Sequence, residues 1–396
     1  MNVALSNIQE RGMFDLTEEQ QMVRDMCEKF GENELKEQAR EIDRSHEFPM
    51  DTTKQLGQMG IMGVVYPEEY GGSGMDYVSY AIAVEELSRY CATTGVIVSA
   101  HNSLCLSPIY YFGTEEQKKK YLPKLCSGEH IGAFAITEPE AGSDAGGTKT
   151  TAVLKDGKWV LNGSKNFITN GGFADVHVVL AITDKEGTKG RNTSMFIVEK
   201  GTPGFSVGKV EDKLGICGSS TTEMVYEDCA IPEENILGKP GEGFKIAMHT
   251  LDGGRVGIAA QALGIAQAAL DEAASYANER VQFGKPIGKL QAIQWMIADM
   301  ATEIEASRLL VYKAAEKMNS GDRRQASKYA AMAKLYASEC SHRCTHKCIQ
   351  IHGGYGYVKE YIAERLYRDA RITEIYEGTS EIQKLVVASS VLKEYE

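Results

Sequence analysis

The chain has 396 residues, 43% of them hydrophobic and 25% charged, the composition of a soluble globular protein long enough for two or three domains. Its formal net charge of −12 offers no general basic surface, which argues against broad binding to nucleic acid or anionic membrane while leaving room for a local basic pocket. It contains neither a run of about 18 apolar residues nor a basic segment followed by a short apolar one, so no membrane insertion and no secretory signal are expected. The nine cysteines are expected as reduced thiols, and the location as cytoplasmic, or the mitochondrial matrix for a eukaryotic chain trimmed of its targeting segment.

The first helix is predicted at "LTEEQQMVRDMCEKF", where Thr17 and Gln20 have capping-box spacing and Met22, Val23, Met26 and Phe30 mark one face. Helical character then dominates to about residue 130, and the lysine run 118–120 reads as a solvated helix face. From roughly 130 to 240 the pattern changes to short β-rich runs, "TTAVL", "KWVLNG", "DVHVVLAIT", "TSMFIVEK" and "TEMVYEDCAI", separated by Asp-Gly, Asn-Gly and Gly-Gly signals. These predict a small antiparallel β domain, and without βαβ alternation a doubly wound nucleotide fold is not expected. After "LGKPGEGF" long helical seams return: Val256, Ala259, Leu263 and Ala266 begin one, and Leu290, Ile293, Ile297 and Met300 another. Such spacing fits a helical bundle in which alanines permit close approach. Further helices are predicted over 325–352 and 380–393. The domain limits expected are 15–130, 131–240 and 241–396.

"CSHRCTHKC" is the nearest thing to a metal cluster, but on a helix Cys340 and Cys348 lie about 12 Å apart, too far to share one ion at zinc–sulfur distances of about 2.3 Å. The cysteines continue the alanine face of the same helix, so core packing is expected and no metal site. Other stretches are richer in chemistry. "AFAITEPEAGSDAGGTKT" crowds Thr, Gly and Ser as a ligand-presenting loop or a hairpin connection would. "KNFITNGG" places an aromatic and two β-branched residues before a Gly-Gly turn, which is also how a half-buried strand ends. "LDGGRVG" sets Arg255 beside two glycines at an expected helix start, where arginine offers a fork for phosphate. "QIHGGYGY" follows a helix and lacks the third glycine of a dinucleotide fingerprint, so a glycine helix stop is the plain reading. In "IYEGTSEIQ", Ser380 and Gln383 have the spacing of a capping box for the last helix, while Glu377 is either a solvated carboxylate near a helix end or a base held on a loop.

Taken in order, "ITEPEAGSD", "FITNGG", "LDGGR", "ERVQFGKPI", "IQIHGGYGY" and "IYEGTSEIQ" make the chain similar to the acyl-CoA dehydrogenase family, nearest to its short-chain, butyryl-CoA type, over about residues 15–393. The resemblance implies an N-terminal helical domain, a middle β domain and a C-terminal four-helix bundle. It also implies FAD bound non-covalently, a homotetramer, oxidation of an acyl-CoA to the trans-2-enoyl-CoA, and an electron-transferring flavoprotein as acceptor. By matched position, Phe134, Ile136, Thr137, Gly142 and Ser143 are implied to run along FAD, and Phe167, Ile168 and Thr169 to flank its reactive edge. Arg280, Gln282, Phe283, Gln291, Gln350, Gly353 and Gly354 are implied to reach the FAD of an adjoining subunit, with Thr379 and Glu381 near its adenosine or pyrophosphate part. Ser143, Asp252, Gly253, Gly254, Arg255, Tyr376 and Gly378 are implied contacts of acyl-CoA.

Glu377 falls on the family's catalytic base, taking the α proton while the β hydrogen leaves as hydride to flavin N5, and the Gly378 N–H falls on a donor to the thioester oxygen. Glu140 departs from the family pattern and requires a solvent-facing side chain. Two other readings stay open on the sequence: the same site run as an enoyl-CoA reductase, and a non-catalytic acyl-CoA- or FAD-binding interaction protein. His101, in the "ATTGVIVSAHNSL" stretch expected near the acyl pocket, reads as a pocket wall or as a packed polar residue.

Overall fold

The structure is a computed structural model and describes residues 15–188 and 190–396. It opens with helices: α1 (Glu18–Phe30), which passes through a π-turn into α2 (Lys36–Ser45), then α3 (Met50–Gln58), α4 (Tyr77–Tyr90), α5 (Ala92–Ala100), α6 (Ser107–Phe112) and α7 (Glu115–Cys126). Thr17 caps α1 with both bonds of the expected box, Gln20 N to Thr17 Oγ1 at 3.1 Å and Thr17 N to Gln20 Oε1 at 3.0 Å. The buried stripe of that helix runs through Val23 and Cys27, and Met26 and Phe30 pack beside it. Met22 was expected on the same face but is 68% exposed; it sits about 100° round the helix from Val23, and Cys27 completes the stripe in its place. α4 and α5 are buried on nearly every face, as helices apolar all round must be. The lysines at 118 and 120 pair with Glu115 and Glu199 at the surface.

The strands follow as β1 (Gly132–Ala135), β2 (Thr151–Lys155), β3 (Lys158–Thr169), β4 (Val176–Ile182), β5 (Thr193–Glu199), β6 (Phe205–Val210), β7 (Thr221–Pro232) and β8 (Ile236–Leu237). They form one sheet in the order β6-β7-β3-β2-β4-β5-β8, with β1 beside β4. Most pairs are antiparallel, but β1 runs parallel to β4, Gly132 opposite Val176 through Ala135 opposite Val179. β1 and β6 were not legible in the sequence. β1 is a fully buried four-residue run, and β6 is an edge strand exposed along most of its length, so neither alternates. β3 shifts register between Lys165 and Ile168, and this irregularity turns Phe167 outward with φ 58°.

One buried ion pair ties the loop after β1 to β3. Lys165, wholly buried, donates from Nζ to Glu138 Oε1 at 2.7 Å, to Thr148 Oγ1 at 2.9 Å and to the Ile136 carbonyl at 3.2 Å. Glu138 in turn accepts from Lys149 N at 2.6 Å and Thr150 N at 3.0 Å. The loop 137–149 is thus closed on itself around one carboxylate. Glu140, the residue that departed from the family pattern, faces solvent and pairs with Lys149.

The remainder is helical: α8 (Gly243–Glu279), a short hairpin of β9 (Val281–Gln282) and β10 (Lys285–Pro286), α9 (Gln291–Asn319), α10 (Arg323–His352), α11 (Ala363–Arg371) and α12 (Ser380–Leu392). The seam expected on α8 is buried; of the second, Met300 is buried in α9, Ile293 and Ile297 pack half-buried against the core, and Leu290 precedes the helix, while the alanine face of α10 continues into Cys340, Cys344 and Cys348, all buried. Two expectations require correction. "LDGGR" is not a helix start but lies inside α8, which begins at Gly243; the glycines serve a close contact, described below. The last helix is capped by Thr379, whose Oγ1 faces Ile382 N at 3.4 Å, and not by a Ser380–Gln383 box: Ser380 is already helical, and the Gln383 amide turns back toward residues 377 and 378. Gly353 ends α10 with φ 60°. Among the described residues no helix is long and apolar enough to cross a membrane, no group of side chains could hold a metal ion, and the cysteines are free thiols.

Replacing Lys165 with Met strands the Glu138 carboxylate in the interior. The expected cost in unfolding free energy is about 3–5 kcal/mol by urea titration, with partial recovery when Glu138→Gln is added.

Candidate active site

A cavity of about 470 Å³ opens where β1, the end of β3, α8 and the segment before α12 meet. The elements deliver its wall in a simple way. β1 carries Phe134 to the rim and the following loop supplies Ile136, Thr137, Gly142 and Ser143. The bulged end of β3 supplies Phe167, Ile168 and Thr169, with Phe167 61% exposed. Arg255 comes from α8, and Tyr376, Glu377 and Gly378 from the turn ahead of α12.

Glu377 is the chemical centre of this cavity. The residue is half-buried, but its Oε2 is shielded from solvent and has no hydrogen-bond partner among the described residues. Its backbone sits in the left-handed region, φ 55°, which a residue with a Cβ adopts at a cost and which recurs at functional sites. Gly378 follows with φ 89°, where a side chain would also meet the Gln383 amide at 2.6 Å. The carboxylate lies against α8 at Gly254: a Cβ there would stand 2.5 Å from Glu377 Oε2 and 2.9 Å from Leu104. The glycine in mid-helix therefore makes room for the acid, at the cost of about 1 kcal/mol of helix propensity.

Electrostatics in the cavity are a contest. Burial pushes the Glu377 carboxyl up, Arg255 and Lys334 pull it back, and it settles at about 7. Tyr376, next along the chain, gives its hydroxyl to Gln261 and remains far above its ordinary range because it is buried. Arg255 is itself held by Asp252 at 2.8 Å, and Asp252 approaches Arg323 at 3.6 Å.

The other expected residues lie elsewhere. Arg280, Gln282, Phe283, Gly353 and Gly354 line a second cavity of about 620 Å³, with Phe283 89% exposed. Asp252 and Gly253 are buried in α8 and line neither cavity; nor do Gln291, Gln350 and Glu381, which are exposed, or Thr379, which caps α12. His101 is a packed polar residue: Gly132 N donates to its Nδ1 at 3.0 Å, and its Nε2 lies 2.9 Å from the Leu125 carbonyl. The sequence reading missed Lys334 and Gln383, both wholly buried beneath the 377–378 turn. Lys334 had a signal, a lysine on the buried alanine face of α10; Gln383 had none beyond its false capping-box spacing. The apolar lining from Phe244, Met248 and Leu251 was also missed, whereas Ala100 and Leu104, from the stretch expected near the acyl pocket, do line the cavity.

Whether the cavity suits a flavin is testable on these residues. The donor set combines an apolar wall (Phe134, Ile136, Phe167, Ile168) with hydroxyls at Thr137, Ser143 and Thr169, and Gly142 faces open space where a side chain would intrude. A flat, partly polar ring system matches that lining. The apolar Phe167 ring exposed at the cavity mouth is likewise suited to stacking.

The comparisons agree with the geometry. Family models for the acyl-CoA dehydrogenase N-terminal, middle and C-terminal domains match residues 17–129, 133–229 and 241–392. The chain is 56% identical to "Acyl-CoA dehydrogenase, short-chain specific" of Clostridium acetobutylicum, over 96% of this chain and 100% of that one. It superposes on butyryl-CoA dehydrogenase from Megasphaera elsdenii with a TM-score of 0.93 at 49% identity, covering 96% and 99% of the two chains. A chain from the structural study of the electron-transferring flavoprotein of Acidaminococcus fermentans gives 0.94 at 53% identity, again over 96% and 99%. With three consecutive domain models in register along the chain and more than half of its residues shared with a relative over that relative's whole length, this protein belongs to the acyl-CoA dehydrogenase family.

Proposed function

We propose that this protein is an FAD-dependent short-chain acyl-CoA dehydrogenase in which Glu377 removes the α proton of the acyl thioester. The observation that carries the assignment is the Glu377 carboxylate itself: unbonded at Oε2, shielded from water, in a strained backbone, on the wall of the cavity. Glu86 also has a shielded Oε2 without a hydrogen bond, but it sits between Arg24 and Arg89 and has neither the strained backbone nor a place on the cavity wall. A pKa of about 7 makes it a base that is both available and strong enough near neutrality. The non-catalytic reading has no use for such a group.

Phe134, Ile136, Thr137, Gly142, Ser143 and the Phe167–Thr169 edge are the residues proposed to hold FAD. When bound, FAD supplies the hydride acceptor that an amino-acid side chain cannot provide. The protein's own work is then to bind the thioester, exclude water and take one proton. Gly378 N–H, unencumbered by a side chain, is proposed to bind the thioester oxygen as negative charge develops there, since a thioester α proton is too weakly acidic for a base alone. Arg255 and Tyr376 stand on the same wall and are proposed substrate contacts.

The second cavity supports a homotetramer. Arg280, Gln282, Phe283, Gly353 and Gly354 line a cavity separate from that around Glu377 and are proposed to complete the FAD site of an adjoining subunit. Trp295 and Tyr357, 61% and 85% exposed, are proposed to lie in the same contacts. An electron-transferring flavoprotein is the proposed acceptor, and the free thiols fit a reducing compartment such as the cytoplasm or mitochondrial matrix.

Glu377→Gln is expected to keep its FAD and yellow colour while turnover falls by about 10²–10⁴-fold, the usual worth of a positioned base; normal turnover in that variant refutes the assignment. Because the carboxylate is the working form, kcat should rise as pH increases through about 7, a limb that rate measurements across pH will locate; a rate falling through that range contradicts it. In a panel of acyl-CoA lengths followed by flavin bleaching, a four-carbon chain should give the highest kcat/KM, with a fall of at least about tenfold by eight carbons.

A further inference from the structure

One strained residue lies outside the cavity and has no part in the chemistry described above. Ile216, in the loop between β6 and β7, has φ 45° and is the one β-branched residue with a positive φ among the described residues. For such a side chain that region is a true outlier, kept only where the surroundings force it. Two consecutive residues of α11 do so. Asp369, 4% exposed, accepts from Ile216 N at 2.5 Å, and Arg368 donates from Nη1 to the Leu214 carbonyl at 3.1 Å. Between them Gly215 lies against the backbone of α11: a Cβ there would stand 2.5 Å from the Arg368 carbonyl and 2.7 Å from Asp369 N. Arg368 also pairs with Asp43 of α2 at 2.7 Å. From the same side Gly218 comes so close that a Cβ would stand 2.4 Å from the Ile42 side chain and 2.8 Å from the Glu47 carbonyl oxygen. Helices of both end domains thus grip one short loop of the middle one.

The far end of that loop reaches the cavity. Ser219 N donates back to the Ile216 carbonyl at 2.9 Å, which closes the turn. Ser220 then accepts twice from the "NGG" turn that follows β3: Asn170 N donates to its carbonyl at 2.8 Å, and Gly172 N to its Oγ at 3.2 Å. β7 begins at the next residue, and its first two, Thr221 and Thr222, pair with Thr169 and Ile168 on the cavity wall. Asn170, directly after Thr169, is itself held at φ 64°. If Ile216 relaxed to a negative φ, Ser219, Ser220 and the start of β7 would move. The wall paired with that strand would move with them.

We propose that Asp369 and Arg368 are positioning residues for the cofactor edge: by clamping residues 214–216 they fix, through Ser220 and β7, the placement of Phe167, Ile168 and Thr169. The inference rests on those three residues holding FAD. Its alternative is a merely structural role, in which the two side chains join three domains and nothing more.

The test uses the full-length, FAD-loaded protein, well below its melting temperature, with two readouts. One is the rate at which FAD leaves on dilution, followed by the rise of free-flavin fluorescence; the other is the visible circular dichroism of the bound flavin. Asp369→Leu removes the acceptor and frees Ile216 to relax, so FAD should leave at least about tenfold faster and the flavin dichroism should change shape. Asp369→Asn keeps an oxygen for Ile216 N and should stay within about threefold of the parent. Should Asp369→Leu fail to fold, Arg368→Met and Ser220→Ala interrupt the same path at milder points, and each should speed FAD loss about fivefold, the worth of one net hydrogen bond. Thr169→Val tests the underlying assignment and should speed FAD loss as well. If the Asp369, Arg368 and Ser220 variants melt earlier but release FAD and show flavin dichroism as the parent does, while Thr169→Val loses FAD faster, the positioning role is refuted and the assignment of the edge stands. If Thr169→Val and Phe167→Ala both hold FAD as the parent does, the edge assignment fails and the inference falls with it.

Discussion

Everything distinctive about this cavity depends on a carboxylate pressed against a helix that has no side chain at the point of contact. Glu377 Oε2 occupies the place where a Cβ of Gly254 would stand. Any other residue at that position would drive the acid outward toward water, lower its basicity and open the base of the cavity. The glycine weakens α8 locally, and buried alanines further along the helix anchor it in the core.

Around that contact the charges are arranged so that no single one dominates. A fully desolvated carboxyl with no cation nearby would be protonated and useless as a base; one bonded directly to an arginine would be too weak a base. Arg255 is occupied by Asp252, and Lys334 by a backbone carbonyl. Both act on Glu377 through space. The strained backbone at Glu377 and the positive φ at Gly378 are maintained by the same donors that approach from α10 and α12.

The opposite wall is rigid for a different reason. The loop after β1 has few apolar residues with which to pack, and it is held by the Glu138–Lys165 pair and the backbone N–H groups that converge on Glu138. The site is thus built from two independent polar anchors, one on the sheet and one on the bundle. Their separation leaves the space between them for flat and extended ligands.

Much of this was legible without coordinates. The alternation of helix, strand and helix follows from hydrophobic periodicity, and a capping pair such as Thr17 and Gln20 is a local matter that adjacent residues decide. The order of six short motifs carried the family and singled out Glu377. Long-range contact is what the sequence withheld. Nothing near residue 254 announces that its missing side chain is filled by a carboxylate 123 positions later, so "LDGGR" looked like a helix start. The spacing of Ser380 and Gln383 satisfied a local rule, yet the tertiary fold gave the amide two better acceptors in the preceding turn. Lys334 read as one more lysine in a helix, and only the packing of α10 beneath that turn buries its charge beside the acid. The sequence by itself determined which segments are helix or strand and which residues bring chemistry, because those depend on neighbours a few positions apart. The tertiary structure alone decided which charges are desolvated and which hydrogen bonds they make, because burial and pairing are properties of segments brought together from tens of residues to more than a hundred apart.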